Sequence, residues 1–345
     1  MTLQQFITDM PKVELHIHIE GSILPKTLFE LAARNNVTLP ATDVEGLREW
    51  YTFRDFDHFI EIYLKIVECL KTPDDIEYMG REFLREQARQ YIRYTEATWT
   101  PWLHYNGAGI RFDDQLAALN RARAWARGEL GVDMQFVPDI PRNMETDGSV
   151  GIMTAEWAVS GMGDGVVGLG VGGAEIGYPP EMFTEPFAYA RERGLPGIPH
   201  AGETEGPASI WGAIRDLKAV RLYHGVRAIE DPELMDTLRD SQMSLDLCPT
   251  SNVRLGVVPG IETHMLPKLI EHGLYITINS DDPPMFNTTL THEYLVTAEA
   301  FGFDAAQIEG FVMNAVNASL LADDKKTAMR DEFKAEFARL REQYL

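Results

Sequence analysis

The chain has 345 residues, 45% of them hydrophobic, enough for an ordinary buried core and within the size range of one large α/β barrel. Its 53 Asp and Glu against 31 Lys and Arg leave a formal charge of −22, a surface that repels phosphate backbones and anionic lipid and argues against a nucleic-acid polymer as partner. Cys69 and Cys248 are too few for a disulfide framework or a Cys-rich zinc knuckle; no secretory signal opens the chain, no apolar run reaches membrane-spanning length, and the expectation is a reduced, cytoplasmic protein.

The first element is a strand. Val13, Leu15, Ile17 and Ile19 are apolar and alternate with Glu14, His16, His18 and Glu20, which places two imidazoles on one face. Residues 24–35 read as a helix entered through Pro25. Residues 53–70 read as another, with Phe56, Phe59, Ile60, Tyr63, Leu64 and Val67 at helical spacing. Such a stripe is ordinarily core packing, but its place between the first two strands also permits a lid over a site. Helical stretches follow at 77–90, 117–127, 155–159, 183–193, 210–217, 232–240 and 265–272, with a closing helical region at 304–344. Strands are expected at 91–99, 133–140, 166–171, 197–201, 221–226, 244–247 and 275–279. Eight strands, each followed by a helix-compatible segment, imply parallel pairing and a (β/α)8 TIM-type barrel with additional helices, one domain over residues 1–345. The glycine-rich run at 161–177 lacks a following Gly-Lys-Ser/Thr, so close backbone approach is the better reading than a phosphate cradle.

In such a barrel the carboxyl ends of the strands converge on one mouth, and the polar residues fall there. His16 and His18 lie on strand one, and Gly173 and Glu175 follow strand four. His200-Ala201-Gly202-Glu203 ends strand five, His224-Gly225 strand six, and Ser280-Asp281-Asp282-Pro283 strand eight. Each piece has a bland reading: Asp-Asp-Pro commonly starts a turn, and a His before Gly can be an ordinary strand end. Jointly, three His and a carboxylate make a nitrogen/oxygen site suited to zinc, with a position open for water. His58, His104, His264, His272 and His292 lie outside these clusters and read as structural or surface residues.

With Met10-Pro11-Lys12-Val13-Glu14-Leu15-His16-Ile17-His18, His200-Ala201-Gly202-Glu203, His224-Gly225 and Asn279-Ser280-Asp281-Asp282-Pro283 in this order, the chain resembles the adenosine deaminase family of the amidohydrolase superfamily. The resemblance implies that His16, His18, His200 and Asp281 bind one zinc ion per chain. It implies that Glu203 protonates ring nitrogen 1 of a 6-aminopurine and that His224, with Asp281, orients a water and takes its proton. Asp282 is implied to meet ring nitrogen 7, and the Gly173 N–H ring nitrogen 3. His18 is implied to touch the substrate as well as the metal, Glu20 stands at the position that helps hold a ribose, and Phe56, Phe59 and Ile60 are implied on a lid. The absence of Pro-Cys-x-x-Cys separates this pattern from the cytidine-deaminase type of zinc site.

The departures bear on the substrate. Adenosine deaminases usually carry Asp where this chain has Glu20, and Glu there is more like adenine deaminases. The segment Glu203 to Trp211 looks like bacterial nucleoside deaminases, Tyr223 replaces the usual Gly or Asp, and Gly170 stands where Asp is frequent. Cys248-Pro249-Thr250-Ser251-Asn252 occurs in several branches, among them those acting on aminodeoxyfutalosine. The favoured expectation is conversion of adenosine to inosine and ammonia, with adenine or a modified nucleoside as alternatives. A two-metal amidohydrolase with a carboxylated Lys on strand four is disfavoured, since no Lys occurs between Val166 and Glu175. A binding protein that kept the fold without catalysis is disfavoured because none of the candidate ligands is missing.

Overall fold

The structure, a computed structural model, describes residues 2–52, 54 and 56–345, the side chains of residues 56 and 57 excepted. Eight strands carry the fold: β1 (Lys12–His18), β2 (Ile92–Trp99), β3 (Asp133–Pro141), β4 (Gly170–Gly172), β5 (His200–Ala201), β6 (Arg221–His224), β7 (Ser244–Leu247) and β8 (Tyr275–Ile278). They form two four-stranded parallel sheets, β1-β2-β3-β4 and β5-β6-β7-β8. Two seams join the halves. At one, Leu169 pairs with Gly197, with Leu169 N donating to Pro196 O at 2.9 Å and Ile198 N to Leu169 O at 2.8 Å. At the other, Ile17 pairs with Asp281, with His18 N donating to Asp281 O at 3.0 Å and Asp281 N to His16 O at 3.2 Å. The two half-sheets thus close into the expected (β/α)8 barrel.

The apolar alternation of β1 explains its seat: Val13, Leu15 and Ile17 pack outward under the helices and are buried. Inside the barrel, Arg221 pairs with Glu96 and with Asp246, each at 2.7 Å. Above that layer the ring of Tyr223 stacks on His16, centroids 4.0 Å apart. The interior is therefore filled with side chains up to the level of the strand ends.

Several boundaries differ from expectation. The helix expected from 77 begins at Pro73, because Thr72 and Asp75 form a reciprocal capping box. Helices Leu3–Asp9, Val44–Tyr51, Pro101–Ala108 and Leu290–Phe301 were not predicted. The strands expected at 166–171 and 197–201 shorten to Gly170–Gly172 and His200–Ala201, since Pro196 and Pro199 offer no N–H to a ladder and glycine surrounds β4. The helix expected at 53–70 runs Phe56–Glu68, and the closing region divides into Ala305–Ala318 and Asp323–Tyr344.

Candidate active site

Four donor atoms converge at the carboxyl end of the barrel. His200 Nε2 stands 3.2 Å from His16 Nε2 and 3.1 Å from His18 Nε2. Asp281 Oδ1 stands 3.4 Å from His16 Nε2 and 3.3 Å from His18 Nε2. Ligands about 2.0 Å from a tetrahedral ion lie about 3.3 Å from one another, so the spacing fits one zinc-sized ion. The far side of the imidazoles fixes their tautomers. His16 Nδ1 donates to Asp246 O and His200 Nδ1 to Val171 O, both at 3.0 Å, which leaves each Nε2 lone pair facing the centre. Ser251 Oγ donates to the other oxygen of Asp281 at 2.7 Å. Burial would raise the Asp281 carboxyl, but His16, His18 and His224 outweigh it and hold it well below the usual range.

Three proton-bearing groups border the cluster. His224 Nε2 lies 3.5 Å from Glu203 Oε1 and 3.9 Å from Asp281 Oδ2. Burial, reinforced by His16, lowers the His224 imidazole to about 3, so it stands neutral. Glu203 and Asp282 behave oppositely: burial pushes both well above the ordinary range, reinforced at Glu203 by neighbouring carboxylates and at Asp282 opposed by His18 but helped by Asp281. A carboxyl group kept protonated is a hydrogen-bond donor, as a ring nitrogen requires. Both His224, the last residue of β6, and Asp281, three residues past β8, sit in the left-handed region, φ 64° and 67°, where an extended strand cannot continue. Each turns its chain out of the strand and into the mouth at the residue that bears the function.

The loop carrying Glu203 is held from behind. The Glu175 carboxylate accepts from the backbone N–H groups of Gly202 (2.6 Å), Glu203 (3.1 Å), Thr204 (2.8 Å) and Glu205 (2.8 Å), and from Ser209 Oγ. The Arg142 guanidinium, fully buried, donates to the carbonyls of His200 and Tyr178 and so ties β5 to the loop after β4.

Above the donors opens a cavity at the barrel mouth, the place where a small-molecule site is expected in this architecture. His18, Gly173, His200, Glu203, His224, Asp281 and Asp282 line it, so every expected metal or proton-transfer residue except His16 reaches its wall. Phe59, Ile60, Tyr63 and Leu64 of the Phe56–Glu68 helix form one side, and Phe59 stacks on Phe286 with centroids 5.8 Å apart. The Phe56 side chain lies outside the described residues. Glu20 is fully buried and is not among the lining residues: its Oε1 accepts from Thr100 N at 2.9 Å and pairs with His104 Nε2 at 2.8 Å. Glu14, grouped by alternation with the two His, instead accepts from Gln87 and Ser280. Asp139, at the end of β3, was not singled out from sequence, yet it lines the cavity. Burial, opposed by His18 and Arg142, pushes its carboxyl up to about 7.

A closed parallel barrel with three imidazoles and one carboxylate converging at its carboxyl end, and protonated carboxyls beside them, defines a metal-dependent hydrolase. More narrowly, residues 11–336 match the profile of the adenosine deaminase family, and the chain belongs to that family. It is a deaminase that hydrolyses a purine C–N bond. It is 39% identical over 325 residues to an aminodeoxyfutalosine deaminase of Streptomyces avermitilis, spanning 92% of this chain and 89% of the relative. It is 35% identical over 320 residues to an adenine deaminase of Bordetella avium, spanning 93% and 100%. The crystal structure of adenine deaminase from Arthrobacter aurescens superposes with a TM-score of 0.89 at 31% identity, covering 94% of this chain and 98% of that one. An amidohydrolase of Burkholderia ambifaria with bound Zn superposes with a TM-score of 0.91 at 25% identity, covering 99% and 95%. Among the described residues, no helix is long and apolar enough to cross a membrane.

Proposed function

We propose that this chain is a cytoplasmic zinc aminohydrolase of a 6-aminopurine nucleoside, with an aminodeoxyfutalosine-type modified nucleoside ahead of adenosine. One observation carries the aminopurine reading: two carboxyl groups that keep their protons, Glu203 and Asp282, line the same cavity as the imidazole and carboxylate donors. The order among nucleosides rests on the aminodeoxyfutalosine deaminases at 38% and 39% identity.

His16, His18, His200 and Asp281 hold the metal. Zinc bound there supplies the Lewis acidity that makes a water nucleophilic near neutral pH. Glu203 gives its proton to ring nitrogen 1, which draws electrons from carbon 6 and opens it to attack. His224, neutral and within reach of both Glu203 and Asp281, orients the water and accepts its proton. Asp282 donates to ring nitrogen 7 and the Gly173 N–H to ring nitrogen 3, so the ring is gripped on three edges. His224 returns the proton it took to the amino group while the new hydroxyl gives its own to the Glu203 carboxylate, so collapse of the tetrahedral carbon expels ammonia, leaves a 6-oxopurine and restores both residues. The Phe56–Glu68 helix, with Phe59 and Ile60 facing the cavity, serves as a lid that keeps bulk water out.

Free adenine is the second reading, favoured by Glu20 in place of Asp and by the adenine deaminases among the relatives. Steady-state deamination of aminodeoxyfutalosine, adenosine and adenine, side by side on zinc-loaded protein, decides the order. Metal analysis should find one zinc per chain, lost together with turnover in His200→Ala. Two equivalents in the cluster would contradict the single-ion site.

A further inference from the structure

We propose that Asp139 reads the group on purine nitrogen 9, its carboxylate accepting hydrogen bonds from the ribose hydroxyls of a nucleoside substrate. The inference rests on the aminopurine reading above and adds a residue that the motifs do not contain.

Three observations carry it. First, Asp139 is only 3% exposed and lines the cavity, yet its Oδ1 has no hydrogen-bond partner. A buried carboxylate oxygen without a donor is costly to maintain, and one facing a cavity can obtain its donor from a ligand. Second, β4 is built to seat this carboxylate. Gly170 pairs with Asp139 across the ladder, and a Cβ on it would stand 2.4 Å from Asp139 Oδ1. A Cβ on Gly172 would stand 2.2 Å from Oδ2. Any side chain at either position displaces the carboxylate, so two residues of β4 are bare where one residue of β3 needs room. Gly170 is also the position where related deaminases frequently have Asp, and here the acid comes from the neighbouring strand instead.

Third, the barrel order fixes which edge of the base Asp139 faces. Around the mouth the lining residues run Asp282 after β8, His18 on β1, Thr100 after β2, Asp139 on β3, Gly173 after β4 and Glu203 after β5. With nitrogen 1 at Glu203, nitrogen 3 at Gly173 and nitrogen 7 at Asp282, the edge between nitrogens 3 and 7 turns toward β1, β2 and β3. Nitrogen 9 lies on that edge. Of the groups there, His18 is turned to the metal centre, Thr100 N donates to Glu20, and Thr100 Oγ1 meets Tyr63 Oη at 3.3 Å. Glu20 spends Oε1 on Thr100 and His104, and its Oε2, buried without a partner, lies behind this wall rather than on it. Asp139 retains an uncommitted acceptor, and a ribose presents the O–H donors that match it.

The test pairs variants with ligands that lack the hydroxyls. On the zinc-loaded full chain, kcat/KM is measured for adenosine, 2′,3′-dideoxyadenosine and adenine in wild type, Asp139→Asn and Asp139→Ala. Kd values for inosine and 2′,3′-dideoxyinosine are measured by calorimetry on the same proteins. The expected result is a loss on the order of ten- to a hundredfold for adenosine and inosine in both variants, with the dideoxy ligands and adenine nearly unchanged. Equal losses on all ligands, or zinc lost from both variants, overturn the proposal and make Asp139 a support of the metal centre. A loss on adenine alone overturns it in favour of an acceptor for the N9–H of the free base. If wild type deaminates none of these substrates but the inosine pair still discriminates through Asp139, the sugar assignment stands, and adenosine and adenine fall as substrates. If wild type neither deaminates nor binds any of them, the sugar assignment falls, and the aminodeoxyfutalosine reading is left to its own assay.

Discussion

Removing the carboxylate at position 175 should disable Glu203 without touching it. Glu175 accepts four consecutive backbone N–H groups, from Gly202 to Glu205, and the Ser209 hydroxyl. In Glu175→Ala these donors lose their acceptor. Water can reach the half-buried residues Glu203 to Glu205, whereas Gly202 is buried. The net loss is therefore dominated by one buried bond to a charged group plus part of the remainder, about 3 kcal/mol. At about 2.1 cal/mol/K per residue the unfolding entropy of a chain this long is roughly 0.7 kcal/mol/K, so Tm should fall by about 4 °C. The kinetic effect is larger. Misplacing a catalytic group by about 1 Å can cost about a hundredfold, so kcat should fall by about that factor while zinc content stays at wild-type level. Glu175→Gln, which keeps the shape but turns an amide N–H₂ toward some of the same donors, should fall between. Thermal melts, metal analysis and steady-state kinetics on the three proteins read all of this. A Glu175→Ala protein that melts lower but turns over normally would refute the claim that this carboxylate positions Glu203.

Three further outcomes follow from the same geometry. Glu203→Gln should keep zinc and Tm but lose a hundredfold or more in kcat, as general-acid roles typically show, and near-normal turnover would exclude it as the proton donor. Phe59→Ala should raise KM more than it lowers Tm, because a half-buried ring on a lid costs less on removal than the roughly 3–5 kcal/mol of a core Phe; a lower Tm with unchanged kinetics leaves only packing. Buried Glu293, bonded to Thr250 N and Thr288 Oγ1, has its carboxyl raised by burial from 4.5 to about 7. The folded state then binds the extra proton between those values, so stability falls as pH rises across that window, by roughly 3 kcal/mol; Glu293→Gln should flatten that slope in denaturant titrations from pH 4.5 to 7, and an unchanged slope would show the group titrates normally.

The donor cluster was legible because its signals are local and repeated. His16 and His18 alternate with aliphatics, and His200, His224 and Asp281 each stand at the end of an apolar run. Barrel topology then says that strand ends meet, so residues far apart in the chain become candidates for one site. Asp139 escaped because Pro138-Asp139-Ile140-Pro141 resembles strand text, and what distinguishes it, the bare Gly-Val-Gly of β4, lies on another strand. The same partner rule hid the role of Glu175. It stands visibly after strand four, but the groups it binds are backbone N–H, which every sequence has. Short strands β4 and β5 and the extra helices were poorly bounded for a related reason. Their limits are set by seam pairing and by caps such as Thr72 with Asp75, while periodicity reports only the apolar face.

The two seams give the metal site a structural meaning beyond catalysis. His16 and His18 belong to the half-sheet that ends with β4, whereas His200 begins the other half and Asp281 follows its last strand. The proposed zinc ligands therefore come two from each half. Asp281 is also the residue whose backbone closes the seam to β1, bonding His16 O and His18 N on either side of Ile17. The side chain that completes the donor set and the peptide that completes the barrel are thus one residue, in the strained left-handed conformation that lets both be true at once. Ligands that exist as a set only after both halves meet are absent from the unfolded chain, so the free energy of metal binding is in part free energy of holding the barrel shut. The hydrogen bond from Ser251 to Asp281 places β7 under the same constraint, through the helix Pro249–Arg254 that follows it. Four of the eight strands, β1, β5, β7 and β8, are in this way tied to the proposed metal centre.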